Sequence, residues 1–265
     1  LLMTAEGVLT FASAPDYETK SSYTATVTVT DGGLSASQPI TVTINNLNDN
    51  SPVFTSSTSF SADENQTAIA TLTATDADGD SVTFTTSSSD LSITSSGVIT
   101  FNSAPDYETT TSYTATITAN DGANSTTQDI TVNVTDLDDE APVITSSATF
   151  SADENQTAIG TVTATDADNL DTSASTNFVI TGSEMSVSST GVLTFTSAPD
   201  YETKTSYTTT ITASDDAGNS SSQSITVSIN NLNDNDPVFS TGATFSANEN
   251  QTAIGTAAAT DADGD

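Results

Sequence analysis

The sequence predicts an all-β chain of tandem seven-stranded Greek-key β-sandwiches, and three observations carry that expectation. Two unrelated sequence markers recur with a shared period of about 90 residues. Between the markers, apolar residues alternate with threonine and serine at the two-residue period of a half-buried strand. Turn-forming steps such as Asp31-Gly32-Gly33 and Asp121-Gly122 separate the alternating runs, and no segment carries a helical period.

The first marker, Ser13-Ala14-Pro15-Asp16-Tyr17-Glu18-Thr19, recurs from Ser103 and again from Ser197, at spacings of 90 and 94 residues. The second, Ser61-Ala62-Asp63-Glu64-Asn65-Gln66-Thr67, returns around Glu154 and, as Ala247-Asn248-Glu249-Asn250, around Glu249, at spacings of 90 and 95. The longer copy carries four extra residues in the polar stretch 169–176 and one near Asp215-Asp216, where loops absorb insertions. The period divides the chain into a partial repeat over 1–50, repeats over 51–140 and 141–235, and a partial repeat over 236–265.

Within 51–140 the pattern predicts strands near 55–60, 67–75, 81–86, 91–93, 97–101, 112–119 and 128–135. The last two are the clearest. Tyr113, Ala115, Ile117 and Ala119 are separated by threonines, and Ile130, Val132 and Val134 by Thr131 and Asn133. The same alternation runs through 23–29, 40–44 and 191–195, and threonine suits a pleated surface.

Composition excludes several classes of function. Against 35 Asp and Glu stand only Lys20 and Lys204, for a formal net charge of −33, so the chain has no basic patch for nucleic acid or an anionic membrane. A chain so one-sided in charge could be disordered. A solvated acidic tail, however, has no reason to keep apolar residues in strict alternation. Without cysteine there is neither disulfide nor thiolate site. No run of about 18 apolar residues and no leader-like segment is present, so this stretch is expected neither to enter a membrane nor to carry its own secretion signal.

The acids are clustered where the strand pattern stops. Three linkers follow the final alternating strands: Asn46-Leu47-Asn48-Asp49-Asn50 before Pro52, Asp136-Leu137-Asp138-Asp139-Glu140 before Pro142, and Asn231-Leu232-Asn233-Asp234-Asn235 before Pro237. Each is a string of oxygen donors ahead of a proline that favours extended backbone. Further acids recur with the period: Asp106 and Glu108, Glu64, Asp76 and Asp78, and Asp121. Sandwich loops gather at the two ends, so these carboxylates converge on the linkers, and that convergence is repulsive without a cation. Hard oxygen donors in this number, with no histidine or cysteine, favour calcium over zinc, copper or magnesium.

These motifs, in this order along the whole chain, resemble cadherin repeats, a family of immunoglobulin-like sandwiches joined end to end as a rod. The resemblance implies about three Ca2+ ions per complete junction. At the middle junction it implies as ligands Glu64, Asp106, Glu108, Asp136, Asp138, Asp139, Asp166, Asp168 and Asp215, with the backbone carbonyls of Leu137 and Glu140. At the first it implies Asp16, Glu18, Asn46, Asn48, Asp49, Asn50, Asp76, Asp78 and Asp121. At the third it implies Glu154, Asp200, Glu202, Asn231, Asn233, Asp234, Asn235, Asp261 and Asp263. Asn46 and Asn231 stand where the family usually has a linker aspartate, while Asp138 and Glu140 stand where it usually has asparagine. Weaker binding, or only two ions, is therefore expected at the outer junctions.

Other readings of the same residues fail on chemistry. Asp76-Ala77-Asp78-Gly79-Asp80 begins like an EF-hand loop, but position six is Ser81 and position twelve Ser87, where glycine and glutamate are needed. The Asp16/Glu18 type of pair recurs three times amid other acids, unlike a single glycosidase pair in a cleft. The serines and threonines have no histidine base and no nucleophile elbow. No enzyme activity is expected. The expected role is a calcium-stiffened extracellular spacer of a cell-surface adhesion protein, with a bacterial adhesin suggested by near-identical, lysine-poor repeats. Its expected partners are calcium and neighbouring repeats. The rival reading is a calcium-dependent module that itself makes homophilic or surface-ligand contacts.

Overall fold

A computed structural model describes residues 1–168 and 177–264, so the expected insertion over 169–176 lies outside the described residues. The chain divides into two compact units, Leu1–Asp136 and Leu137–Asp265. Among the described residues there is no helix, and none is long and apolar enough to cross a membrane.

The first unit opens with the short antiparallel pair β1 (Leu2–Met3) and β2 (Leu9–Thr10), followed by the hairpin β3 (Ser22–Thr30) and β4 (Ser35–Thr43). Asp31 closes that hairpin, its Oδ1 accepting the N–H groups of Gly33 at 3.1 Å and Leu34 at 2.9 Å. A full sandwich follows: β5 (Val53–Phe54), β6 (Ser59–Asp63), β7 (Ala68–Thr71), β8 (Ala74–Thr75), β9 (Thr83–Thr86), β10 (Leu91–Ile93), β11 (Val98–Phe101), β12 (Ser112–Asn120) and β13 (Ser125–Thr135). One sheet has the order β6-β13-β12-β9, the other β10-β11-β7, and β5 pairs with β8.

Two expected strands differ. Of the stretch predicted over 55–60 only residues 59–60 are strand, as the start of β6, parallel to β13, and the unpredicted β5, antiparallel to β8, precedes it, because the chain passes from one sheet to the other over 55–58. The stretch predicted over 67–75 breaks at Leu72, which turns into the core and donates its N–H to Gly97 O at 2.8 Å. Elsewhere alternation does what period two requires. Ala115, Ile117 and Ala119 of β12 and Ile130, Val132 and Val134 of β13 are buried, with Leu72, Phe84, Leu91, Ile99 and Phe101 packed in the same cluster. Each large aliphatic side chain removed from water contributes about 1.5–3 kcal/mol.

The second unit repeats this plan. Its strands are β14 (Val143–Ile144), β15 (Thr149–Asp153), β16 (Ala158–Thr161), β17 (Ala164–Thr165), β18 (Asn177–Ile180), β19 (Met185–Val187), β20 (Val192–Phe195), β21 (Ser206–Ser214) and β22 (Ser220–Asn230). They form sheets β15-β22-β21-β18 and β16-β20-β19, with β14 on β17. The pair β23 (Val238–Phe239) and β24 (Ala259–Thr260) closes the unit.

The turns that carry the acids are fixed by the strand ends. The N–H of Glu64 reaches Thr135 O at 3.2 Å and that of Asn65 reaches Pro105 O at 3.0 Å, so the Asp-Glu-Asn turn lies between the end of β13 and the Pro-Asp-Tyr-Glu turn. Glu154 and Asn155 repeat this with Asn230 O and Pro199 O. Asn65, Asn155 and Asn250 hold φ of 61°, 64° and 69°, the left-handed region that asparagine tolerates better than most residues.

Candidate metal centres

Two of the three centres include a buried glutamate. Glu64 and Glu154 are both 2% exposed. Glu64 Oε2 accepts the N–H of Tyr107 at 2.8 Å and Glu154 Oε2 that of Tyr201 at 2.8 Å. Glu154 Oε1 also accepts the N–H of Leu232, in the linker, at 2.8 Å. The glutamate thus ties its own turn, the Asp-Tyr-Glu turn and the outgoing linker into one cluster.

At the first linker the carboxylates of Glu18, Asp49 and Asp78 approach within 4.8 Å of one another. Asp78 receives the N–H groups of Asp49 at 3.0 Å and Asn50 at 2.8 Å, and the Asn50 side-chain amide at 2.9 Å. Those donors hold the Asp78 carboxyl below its usual range even though burial opposes them, whereas burial and then the Asp78 contact push Glu18 up. Asn46 Nδ2 donates to Asp78 O at 2.7 Å and Asn48 Nδ2 to Asp121 O at 3.3 Å. Asp16 instead closes its own turn, accepting the N–H and hydroxyl of Thr19, which lower it. Asp76 Oδ1 accepts the N–H of Asp78 at 3.0 Å, and Asp80, which is not among the expected ligands, groups with this pair.

The third linker is built alike. Glu154, Glu202, Asp234 and Asp263 lie within 4.8 Å of one another. Burial, with the charges of Glu154 and Asp263, raises Glu202, while the Asn235 side chain and N–H lower Asp263. Asn231 Nδ2 donates to Asp263 O at 2.9 Å, Asn155 donates to Asp234, and Asp261 Oδ1 accepts the Asp263 N–H at 2.9 Å. Asp200 accepts from Thr203, as Asp16 does from Thr19. Asn233 is exposed.

Residues assigned to the middle linker fall in both units. In the first, Glu64, Glu108 and Asp136 group within 4.8 Å, and Asp106 accepts from Thr109 at 3.1 and 3.0 Å. In the second, Asp168 Oδ2 accepts the N–H of Glu140 at 2.8 Å, and Asp139 N–H reaches Leu137 O at 3.1 Å. Burial, then the charges of Asp215, Asp168 and Asp166, raise the Asp138 carboxyl. Two asparagines not among the expected ligands also join the linkers, Asn124 the first and Asn219 the middle one. Asn124 Nδ2 donates to Asn48 Oδ1 at 2.8 Å and Asn50 O at 3.0 Å, and Asn219 Nδ2 to Asp138 O at 3.2 Å. The signal for both was their recurrence just after the late aspartate, Asp121 or Asp215.

The test of fit to a cation is whether buried oxygens lack donors. Among the described residues, Asp76 Oδ2, Asp121 Oδ2, Asp138 Oδ1, Asp166 Oδ2, Asp168 Oδ1 and Asp215 Oδ2 are buried with no hydrogen-bond partner. Asp168 is 0%, Asp215 5% and Asp121 9% exposed. A buried, unpaired carboxylate oxygen costs several kcal/mol unless a cation or donor meets it. Lys204 pairs with Glu184 at 2.6 Å, away from the linkers, and Lys20 lies over the Tyr23 ring. The donor set fits a hard divalent ion with oxygen ligands, and calcium best.

A cadherin domain model matches residues 147–230 and a bacterial Ig domain model matches residues 48–135. The mouse (Mus musculus) protein "Cadherin EGF LAG seven-pass G-type receptor 2" is 31% identical over 261 residues, covering 88% of this chain and 9% of its own length. This chain therefore spans about one-tenth of that relative. A solved structure of protocadherin gammaB7 EC3-6, described as a cis-dimer, matches at 27% identity and TM-score 0.73, over 94% of this chain and 70% of that one. The protocadherin GammaB4 extracellular domain shares the fold over 99% of this chain and 48% of its own, at TM-score 0.70 and 24% identity.

Proposed function

Because the chain is built of tandem cadherin-like repeats, we propose that it is an extracellular, calcium-stiffened spacer of a cell-surface adhesion protein, with calcium ions held at the linkers. The observation that carries this reading is the set of buried aspartate oxygens without donors, all at linker-facing positions. Repeats of this kind are adhesion modules rather than enzymes.

At the first linker, Glu18, Asp49, Asp76, Asp78 and Asp121 would hold the ions, and at the third, Glu154, Glu202, Asp234 and Asp263, with Asp261 beside them through its bond to the Asp263 N–H. At the middle linker, Asp138, Asp166, Asp168 and Asp215 would do so. Bound calcium supplies the positive charge that lets these carboxylates stay close. The chain's own residues orient the oxygens: Asp78 and Asp263 through linker N–H groups, and Glu64 and Glu154 through Tyr107 and Tyr201. The bacterial Ig domain match over 48–135 supports a bacterial surface protein as the host.

The test is calcium titration of the chelated protein. Calcium is expected to raise Tm and extend the particle in small-angle scattering, with affinities on the order of 10⁻⁴–10⁻³ M as for extracellular modules. Each site adds about 2.7 kcal/mol at a hundredfold excess over Kd. Identical scattering and Tm in calcium and in chelator would sink the proposal. A second reading, direct homophilic contact, draws support from the cis-dimer described for the similar protocadherin structure. Sedimentation in calcium separates the two, since a spacer stays monomeric.

A further inference from the structure

Resting on the reading of the linkers as calcium joints, we infer that they are of two kinds: linkers 46–50 and 231–235 are latched by their own side-chain amides and keep their order without metal, whereas linker 136–140 lacks those side-chain latches and depends more on metal for its order. The observation is a three-for-three exchange of amide for acid. Asn46, Asn48 and Asn50, and again Asn231, Asn233 and Asn235, are replaced in the middle linker by Asp136, Asp138 and Glu140.

The last linker residue shows the consequence most directly. Asn50 grips Asp78 with two donors, its N–H on Oδ2 at 2.8 Å and its Nδ2 on Oδ1 at 2.9 Å. Asn235 grips Asp263 in the same way, at 2.8 and 2.9 Å. Both oxygens of each aspartate are thereby satisfied by one neutral residue. Glu140 retains only the backbone half, its N–H on Asp168 Oδ2 at 2.8 Å. A carboxylate has no N–H for the other oxygen, and Asp168 Oδ1 is buried without a partner in a residue 0% exposed.

The first and third positions add to the difference. Asn46 and Asn231 donate to the backbone oxygens of Asp78 and Asp263 at 2.7 and 2.9 Å, a bond that an aspartate at 136 has no proton to make. Asn48 donates to Asp121 O and accepts from Asn124, so the first linker is stitched to its repeat by neutral hydrogen bonds. Asp138, at that position in the middle linker, has a buried Oδ1 with no partner. Neutral amide bonds persist when a cation leaves, whereas converging carboxylates repel. The asparagines that a ligand count reads as weaker metal donors are therefore latches.

Hydrogen–deuterium exchange on the full 265-residue chain, in calcium and after metal stripping, tests this. In calcium all three linkers are expected to be protected. Without metal, the N–H groups of Asp49, Asn50, Asp234 and Asn235 should stay protected by about tenfold or more over that of Glu140. The triple variant Asp136→Asn, Asp138→Asn, Glu140→Asn should gain metal-free protection at 137–140, and Asn50→Asp should lose it at 49–50. Equal loss in all three linkers on stripping overturns the inference and leaves the calcium reading intact. Absence of any calcium-induced protection overturns the calcium reading instead.

Discussion

Glu154 Oε2 accepts the backbone N–H of Tyr201 at 2.8 Å, across 47 residues of sequence and in a glutamate only 2% exposed. Its second oxygen takes Leu232 N–H at the same distance. Glu154→Ala leaves two inward-facing N–H groups without acceptors and is expected to cost about 1–3 kcal/mol for each, even in chelator. Glu154→Gln keeps one acceptor, so it should cost less without metal while still weakening the calcium response. Chemical denaturation of both variants with and without calcium checks the split. Equal losses for the two in chelator would place the effect in charge rather than in the hydrogen bonds.

Gly97 combines φ of +91° with a closed environment, since a Cβ there would sit 2.3 Å from Leu72 O. Gly122 has φ of +104° but nothing within 4 Å. Gly122→Ala should therefore carry only the conformational cost of about 1–2 kcal/mol. Gly97→Ala should cost clearly more, because the Leu72 to Gly97 hydrogen bond that seats Leu72 must also move. Thermal melts of the two variants in calcium compare the costs directly.

Leu193 is 0% exposed and packs in one cluster with Val162, Ile211 and Ile225. Leu193→Ala is expected to destabilise by about 2–5 kcal/mol, with and without calcium alike, because the cavity lies in the core rather than at a linker. A urea titration followed by far-UV circular dichroism measures it.

Acid should act in opposite directions on the two states. Glu18, Asp138 and Glu202 have folded values raised above 4.5, 3.8 and 4.5, so their ionised forms destabilise the metal-free fold. Lowering pH through those raised values relieves the penalty. Asp16, Asp78, Asp121 and Asp263 are lowered, so their contribution is present above 3.8 and is lost as pH falls through their folded values. The metal-stripped protein should thus gain stability as pH falls from neutrality through the raised values, and lose it again as pH falls further through the lowered ones. The calcium-loaded protein should lose stability over the same descent from neutrality, because protons compete for the ligands. Tm measured against pH for both forms tests the inversion.

Sequence alone determined what has a short period. A strand sends successive side chains to opposite faces, so the alternation of Tyr113 to Ala119 fixed which residues of β12 enter the core before any partner strand was known. The 90-residue period likewise marked the recurring acids and the linkers, because both repeat with the fold. Tertiary structure decided what depends on partners distant in the chain. The change of sheet that divides β5 from β6, the inward turn at Leu72 and the bond from Glu64 to Tyr107 all arise from packing two sheets together, which no local pattern encodes. An asparagine offers both an acceptor and donors, so Asn50 reads equally well from sequence as a metal ligand or as a hydrogen-bond latch. Only the fold sets its amide against Asp78, the contact on which the latch reading rests.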